Sequence, residues 1–464
     1  MTGRAVLAAP TLRAGHSIEL LECGAVFFPT LEAAIDAARS EVHLETYILH
    51  DDPSARRVIQ ALVRAAGRGV AVRLAVDGFG TPRVPPGLAH LIADSTMQLR
   101  VFRPEKHRFA LDRRRLRRLH RKLVVIDQEL AIVGGINLLD DLIDPNHGVL
   151  EQPRLDYAVA VRGPLVGDAL RAVRRVWHEL ESRASLRRWL AQETGRAASA
   201  LAQIGPASAP ASAPASASAS VPASVPASVP ASAEPQRRPF GGASPGRFGS
   251  GAAGHEPSPA MPSVAGLDVP GAGLQAMLLL RDNFRFRRTI EHEYLSAIAA
   301  ARHEILIANA YFFPGLRLRR ALTDAARRGV QVTLLLQGRV EYRLQHYASQ
   351  ALYDEMLGAG ISIIEYKTSF LHAKVAVIDD WATVGSSNID PFSLLLAREA
   401  NVVVRDADFA RQLRTRLAAA IEGGGRPVLA LHHARRSLPV RLMNWCAFGL
   451  LRAGVALSGR ATRY

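Results

Sequence analysis

The feature that most constrains this 464-residue chain is an internal duplication. In the first half, an alternating strand pattern that begins at Glu41 is followed by a helical pattern, a glycine stop and a second strand over residues 70–78. The second half repeats this order from Glu304 to a second strand over residues 330–338. Strand, helix, glycine stop and strand form a βαβ unit, so each half predicts an α/β fold with largely parallel strands.

Both halves also contain the motif His-x-Lys-x4-Asp. Its residues are His120, Lys122 and Asp127 in the first half, and His372, Lys374 and Asp379 in the second. A histidine and a lysine two positions apart on a strand point to the same face of the sheet. With only four lysines in the chain, composition alone would produce two such motifs in roughly one of 10⁵ sequences. The repeated motif therefore indicates a functional site.

Two further polar positions follow each motif. A small-residue turn leads to an asparagine, and an acidic residue then opens another strand. These residues are Asn137 and Asp156 in the first half, and Asn388 and Glu399 in the second. We expect Asp156 and Glu399 to orient the histidines and fix their tautomer.

These residue types favour phosphoryl transfer. One imidazole can attack phosphorus and form a covalent intermediate, while the other protonates the leaving oxygen and later deprotonates the incoming one. Two lysines and two asparagines would donate to the nonbridging oxygens, so no metal and no other cofactor is required. Asp127 and Asp379 are grouped with the catalytic residues, with the alternative that they anchor the backbone or the lysines.

The paired motifs resemble those of the phospholipase D superfamily. This resemblance implies two fused repeats related by a pseudo-twofold axis, each a mixed sheet flanked by helices, with one active site at their interface and a phosphohistidine intermediate. The expected organisation is a leader, a first repeat, a disordered Ala/Ser/Pro-rich linker, a second repeat and a tail. The corresponding residues are 1–15, 16–190, 191–267, 268–425 and 426–464.

Within the superfamily, the chain resembles the bacterial cardiolipin synthases, especially the shorter type B enzymes without N-terminal transmembrane helices. The segments that carry this resemblance are residues 18–29, 42–48, 76–80 and 441–445. The resemblance implies that two phosphatidylglycerol molecules are joined into cardiolipin with release of glycerol. One alternative is a phosphodiesterase that hydrolyses phospholipid or nucleic acid. A second alternative is a membrane-binding scaffold without catalysis.

Charge and hydropathy suggest where the protein acts. The net charge of +16 favours partners rich in phosphate, and the two cysteines exclude a disulfide framework. A basic run, Arg113–Arg118, precedes the first motif, and residues 438–457 form a mostly apolar helical pattern in which Arg441 and Arg452 fall in line as a narrow cationic stripe. We expect a peripheral protein on the cytoplasmic face of the cell membrane, with an anionic membrane surface and no nucleic acid as partner. The alternative for the tail is a helix packed on the protein's own core.

Overall fold

The computed structural model describes residues 10–104, 117–183, 273–282 and 286–457. The residues of the linker that is predicted to be disordered lie outside the described ranges. Most of the arginine run before the first motif lies outside them as well. The first strand begins at Arg13, slightly before the expected start of the first repeat. Within the described ranges, no helix combines the length and the hydrophobicity that crossing a membrane requires.

The first half contains nine strands and four helices within its described residues. The strands are β1 (Arg13–Glu22), β2 (Glu41–Thr46), β3 (Ala71–Asp77), β4 (Gln98–Phe102), β5 (Lys122–Ile126), β6 (Leu130–Gly134), β7 (Ile143–Asp144), β8 (Gly148–Val149) and β9 (Tyr157–Arg162). The helices are α1 (Cys23–Asp36), α2 (Pro53–Gly67), α3 (Pro86–Ala93) and α4, described over residues 165–183.

The second half contains eight strands and eight helices within its described residues, in a partly corresponding order. Its strands are β10 (Leu274–Arg281), β11 (Glu304–Asn309), β12 (Gln331–Gln337), β13 (Ser362–Tyr366), β14 (Lys374–Ile378), β15 (Trp381–Gly385), β16 (Glu399–Arg405) and β17 (Gly425–Pro427). Its helices are α5 (Thr289–Ala300), α6 (Leu316–Arg327), α7 (Arg343–Gln350), α8 (Tyr353–Gly358), α9 (Pro391–Leu395), α10 (Ala407–Gly424), α11 (Ala430–Ala434) and α12 (Leu438–Leu457).

One large mixed sheet joins the two halves, and its strand order is nearly palindromic. The order is β17-β13-β12-β11-β14-β15-β16-β10-β1-β9-β6-β5-β2-β3-β4. The antiparallel pair of β1 and β10 lies at the centre, and the βαβ strands run parallel towards both edges. Because the two halves of the sheet have corresponding strands at corresponding distances from the centre, the predicted α/β fold of two fused repeats is confirmed. The largely parallel sheet expected from the βαβ pattern is wrong, since among the described strands only the pairs β2–β3, β3–β4, β11–β12 and β12–β13 are parallel and the other neighbouring pairs of the large sheet are antiparallel.

Local sequence explains why corresponding helices begin and end where they do. The Asp52 carboxylate accepts a hydrogen bond from Ala55 N at 2.9 Å and caps the start of α2, directly before Pro53. After α2 and α6, Gly69 and Gly329 adopt left-handed φ angles of 88° and 91°. A residue with a Cβ is strained in this conformation, which accounts for the glycine stop in both repeats.

Hydrophobic packing makes the two halves one body. A single buried cluster includes side chains of β5, β9 and α4 from the first half and of β14, β16 and α10 from the second. Two other clusters cover the opposite face of the sheet, one within each half. The shared cluster packs behind the strands that carry the motifs, so it fixes the two motif strands relative to each other.

The two motif aspartates lie away from the motif histidines. Asp127 and Asp379 follow the far ends of β5 and β14, which begin at the motif lysines. Five residues of extended strand place each aspartate roughly 16 Å from the lysine of its motif. The Asp127 carboxylate accepts backbone hydrogen bonds from Arg39, Ser40 and Glu41 at 2.7–3.0 Å. Burial alone would raise the pKa of Asp127, but these donors hold it below its usual value.

Asp379 plays the same part in the second half. Its carboxylate accepts hydrogen bonds from the backbone N–H groups of Arg302, His303 and Glu304 at 2.8–3.0 Å. Grouping the two aspartates with the catalytic residues is therefore corrected: they anchor the turns that lead into β2 and β11.

Candidate active site

Each motif histidine is held by a short parallel bridge to the opposite half of the chain. His120 N donates to the carbonyl oxygen of Arg398 at 3.0 Å, and His372 N donates to that of Leu155 at 2.8 Å. Arg398 directly precedes Glu399, which opens β16, and Leu155 directly precedes Asp156, which lies just before β9. The bridges therefore bring each histidine beside the acidic residue of the other repeat.

The side chains complete this exchange between the halves. His120 Nδ1 lies 3.0 and 3.2 Å from the two carboxylate oxygens of Glu399, and His372 Nδ1 lies 2.6 Å from Asp156 Oδ2. Because a carboxylate accepts, each Nδ1 carries the proton and donates it. The lone pair of each histidine is then on Nε2, the atom that a nucleophile or a base would use.

Both acidic residues are buried and fixed by further hydrogen bonds. Glu399 and Asp156 are at most 1% exposed. The Ser386 hydroxyl donates to Glu399 Oε2 at 2.5 Å, and Tyr157 N donates to Asp156 Oδ1 at 2.8 Å. The carboxylates are thus pre-oriented before any substrate binds, which reduces the cost of aligning the imidazoles.

The two motif lysines are buried beside the histidines. Lys122 Nζ donates to His120 O at 2.8 Å and lies 3.4 Å from His120 Nε2. Lys374 Nζ donates to His372 O and lies 4.0 Å from Asp156 Oδ2. Burial lowers the pKa of Lys122 to about 7, with repulsion from Lys374 as the next cause. Two desolvated ammonium groups that repel each other form a site that a phosphate would stabilise.

The pKa values of the lysine and histidine in the second motif are also lowered. Burial lowers the pKa of Lys374 to about 8, although Asp156 and Glu399 oppose the shift. Burial, followed by repulsion from Lys374, lowers the pKa of His372 to about 3 despite its contact with Asp156. Burial also lowers the pKa of His120, against the opposing effect of Glu399. Both imidazoles are therefore neutral in the free protein at neutral pH.

Tyr47 adds an aromatic wall to the first motif. Its ring lies edge-on to the His120 ring, with centroids 4.7 Å apart, and Lys122 Nζ lies 5.4 Å from its centre. Burial raises the pKa of the Tyr47 hydroxyl. The ring limits the directions from which a substrate reaches His120.

The two downstream asparagines have different surroundings. Asn137 Oδ1 accepts a hydrogen bond from Ile48 N at 3.1 Å, so this side chain holds the loop after β2. Asn388 is 3% exposed, and its Oδ1 has no hydrogen-bond partner within the described part of the chain. Donation from either asparagine to a bound phosphate stays a prediction.

Two positioning residues were missed in the sequence. Asp77 Oδ2 accepts a hydrogen bond from Leu119 N at 2.8 Å, and Gln337 Oε1 accepts one from Leu371 N at 3.2 Å. Leu119 and Leu371 are the residues immediately before the motif histidines. Asp77 and Gln337 occupy the same position at the ends of β3 and β12, so an alignment of the two repeats could have revealed them.

The described end of the basic run has a structural role. Arg118 is only 7% exposed, its Nη1 lies 3.8 Å from Asp77 Oδ1, and its guanidinium lies 4.9 Å from the Phe79 ring centre. Arg118 therefore supports the segment that leads into the first motif. Residues 113–116 lie outside the described ranges.

Two histidine–lysine pairs, each completed by an acid from the opposite repeat, define an enzyme of the phospholipase D class. The family profile described as "Cardiolipin synthase, PLD-like domain" matches residues 31–150 and 294–421. The chain is 33% identical to cardiolipin synthase B of Salmonella typhi, over 88% of this chain and 81% of that protein. It is 32% identical to cardiolipin synthase B of Escherichia coli (strain K12), over 96% and 90%. The chain belongs to the cardiolipin synthase family.

A solved structure supports the same fold. The crystal structure of phosphatidylserine synthase from Haemophilus influenzae Rd KW20 superposes with a TM-score of 0.59, covers 97% of both chains and is 12% identical. At this identity the likeness concerns the fold alone. The family membership confirms the predicted phosphatidyltransferase class within the phospholipase D superfamily.

Proposed function

We propose that this protein transfers a phosphatidyl group from one phosphatidylglycerol to a second, giving cardiolipin and glycerol. The observation that carries the proposal is the exchanged pairing of His120 with Glu399 and of His372 with Asp156 around two buried lysines. This arrangement provides two imidazoles whose lone pairs are on Nε2 and a cationic centre for one phosphate. The same centre suits the phosphodiester of a lipid headgroup.

The reaction proceeds in two displacements at phosphorus. In the first, Nε2 of one histidine forms a bond to phosphorus, the bond to the headgroup oxygen breaks, and the other histidine protonates the departing glycerol. In the second, that histidine removes the proton from a hydroxyl of another phosphatidylglycerol. The resulting oxygen attacks phosphorus, the P–N bond breaks, and the first histidine is regenerated. By analogy with the superfamily, we assign the attack to His120 and acid–base catalysis to His372.

The lysines stabilise the charge that develops in both displacements. Lys122 and Lys374 are 5% and 0% exposed, so they act in a low-dielectric site where a charge-assisted hydrogen bond to a nonbridging oxygen is strong. A bound phosphate raises the pKa of the neighbouring lysines and of the acid–base histidine, because a nearby anion favours the protonated form. Substrate binding thereby prepares the protonation state that departure of glycerol requires.

The lowered lysine pKa values predict an unusual pH dependence. Because the pKa of Lys122 is about 7 in the free protein, kcat/KM should fall as the pH rises above neutrality and Lys122 loses its proton. The fall in kcat should begin at higher pH, since bound phosphate raises the lysine pKa. Initial rates from pH 5 to pH 9.5 in neutral detergent micelles containing phosphatidylglycerol would measure the pH dependence of both kcat/KM and kcat. A kcat/KM that stays constant up to pH 9 would contradict this electrostatic description.

The two faces of the tail helix differ in their surroundings. One face of α12 packs against α7 and the core, with Ala447, Leu451 and Val455 at most 6% exposed and the Phe448 and Phe313 rings 5.4 Å apart. Contact with the protein's own core is therefore observed for this face. The opposite side of the helix remains available for another partner.

That other side exposes large apolar side chains. Leu438, Leu442, Trp445 and Leu450 are 53–77% exposed. Arginines 441 and 452 are also exposed. An apolar helix surface with a tryptophan and flanking cations suits shallow burial at an anionic bilayer. The proposal therefore includes peripheral attachment to the cytoplasmic face of the cell membrane through α12.

Vesicle flotation tests this attachment. The double variant Leu442→Glu/Leu450→Glu should bind phosphatidylglycerol-containing vesicles at least about tenfold more weakly than the unmodified protein, because two apolar side chains no longer enter the bilayer. The matched control is Val26→Glu/Leu316→Glu, which places the same charges on exposed apolar positions outside the tail. Equal flotation of the two double variants would refute a membrane role for α12.

A substrate comparison tests the proposed activity against the other superfamily chemistries. Purified full-length protein is incubated separately with vesicles of labelled phosphatidylglycerol and with DNA. The proposal predicts cardiolipin from the lipid and intact DNA. Phosphatidic acid as the sole lipid product would indicate a hydrolase, cut DNA would indicate a nuclease, and unchanged substrates would indicate a scaffold.

A further inference from the structure

A small pocket with several polar groups in its wall lies beside the second motif and has no part in the chemistry described above. Its volume of about 30 Å³ is about twice the roughly 10–15 Å³ that one buried water requires. It is too small for an acyl chain. Its polar and aromatic lining includes Tyr311, Gln337, Glu341, Tyr342, His346 and Tyr353.

Two hydrogen bonds connect the pocket wall to the residues around His372. Ala310 N, at one side of the pocket, donates to the carbonyl oxygen of Ala373 at 3.0 Å. Ala373 is the residue between the motif histidine and the motif lysine. Gln337 Oε1, at another side, accepts from Leu371 N at 3.2 Å. The pocket is therefore built onto the segment that presents His372.

The pocket contains a buried donor without a partner. Gln337 is 8% exposed, and its Nε2 has no hydrogen-bond partner among the described residues. The orientation of this amide is fixed, because its Oε1 accepts from Leu371 N and from Arg339 N at 3.4 Å. A ligand oxygen that accepts from Nε2 would satisfy the donor and recover the cost of its burial.

An acceptor lies in the same pocket. The Tyr311 hydroxyl donates to Glu341 Oε2 at 2.5 Å, which fixes the carboxylate. A ligand hydroxyl can donate a hydrogen bond to Glu341 and accept a hydrogen bond from Gln337 Nε2, whereas a phosphate oxygen would be repelled by the carboxylate. The pair of groups thus suits a neutral alcohol with adjacent hydroxyls rather than an anion.

We infer that this pocket binds the terminal hydroxyls of a glycerol headgroup while its phosphate is held at the motif lysines. The inference rests on the proposed function and deepens it, since it assigns a subsite to the alcohol that leaves or attacks. Glycerol reaches the pocket either as the free product or as the headgroup of phosphatidylglycerol. In both cases the subsite favours glycerol over water and over simple alcohols.

Binding of free glycerol tests the subsite independently of catalysis. Saturation-transfer difference NMR on full-length protein should give a glycerol signal that weakens about tenfold in Glu341→Leu and also falls in Tyr311→Phe, because each variant removes or releases the acceptor. Glu355→Leu is the matched control, since Glu355 lies on α8 and pairs with Arg319 outside the pocket. Equal glycerol signals in Glu341→Leu and Glu355→Leu would overturn the inference, whether or not the protein makes cardiolipin.

Activity measurements then separate the two sources of glycerol. Exchange of labelled free glycerol into phosphatidylglycerol and formation of cardiolipin are compared with transfer to ethanol in the same variants. A loss confined to glycerol exchange would assign the pocket to the free product, and a parallel loss of cardiolipin formation would assign it to the lipid headgroup. An equal loss of transfer to glycerol and to ethanol in Glu341→Leu would overturn the inference, because the residue would then act generally on catalysis.

Discussion

Replacing His372 with alanine should lower cardiolipin formation by about four orders of magnitude or more, and His120→Ala should do the same. Each variant keeps one complete histidine–lysine–acid set, yet one imidazole cannot serve both as nucleophile and as acid–base catalyst at a single phosphorus. Initial rates with labelled phosphatidylglycerol, together with circular dichroism to establish folding, would measure the effect. The two histidines are expected to be equally indispensable although they lie in different repeats.

His178→Ala is the matched control, because His178 is exposed and lies outside the site. This variant should retain nearly all activity. Substantial activity in either motif variant would show that one repeat is sufficient and that the shared site is wrong.

Neutralising the acid of one repeat should disable the histidine of the other. Asp156→Asn and Glu399→Gln keep the side-chain shape but place an amide beside a ring nitrogen that now donates to a carboxylate. The amide favours the wrong tautomer or orientation, so kcat should fall by roughly 10²–10⁴. The measurement is kcat at saturating phosphatidylglycerol, with KM determined in parallel.

Asp127→Asn serves as the control for these two variants. It is the same chemical change in a motif residue that anchors the turn before β2. We expect it to lower the free energy of unfolding while kcat of the folded protein stays close to that of the unmodified chain. A larger loss of kcat in Asp127→Asn than in Asp156→Asn would contradict the assignment of roles.

The repeated motifs allowed much of the fold to be predicted. The order of strand, helix and glycine stop recurs in both halves because each βαβ unit needs the same local geometry, and β2, β3, β11 and β12 lie where the pattern places them. The exchange of acids between repeats could not be predicted in the same way. It depends on bridges at Leu119 and Leu155, which join the segments preceding functional residues only in the folded chain.

The motif aspartates show why proximity in sequence is a poor guide to proximity in a site. Asp127 belongs to the motif but lies at the other end of a five-residue strand from Lys122. Asp77, which is far from the motif in sequence, fixes the backbone next to His120. An extended strand separates neighbours in sequence, whereas the sheet brings distant strand ends together.

The tail could not be assigned from its hydropathy because its two faces differ in burial. Leu451 is 5% exposed and packs inward, whereas Leu450, the preceding residue, is 66% exposed. Composition averages over both faces of a helix, and only the packing against α7 shows which side is covered. The exposed side is the one that the flotation experiment tests.

The paired motifs predict transfer between two lipids at one site shared by the two repeats. Phosphatidylglycerol that carries one isotope in the phosphate and another in the headgroup glycerol tests this claim most directly, with purified protein in vesicles containing a metal chelator. Transfer at a shared site should give one cardiolipin for each free glycerol released, with the second headgroup glycerol retained in the product. Release of glycerol with phosphatidic acid and no cardiolipin, or no turnover at all, would contradict it.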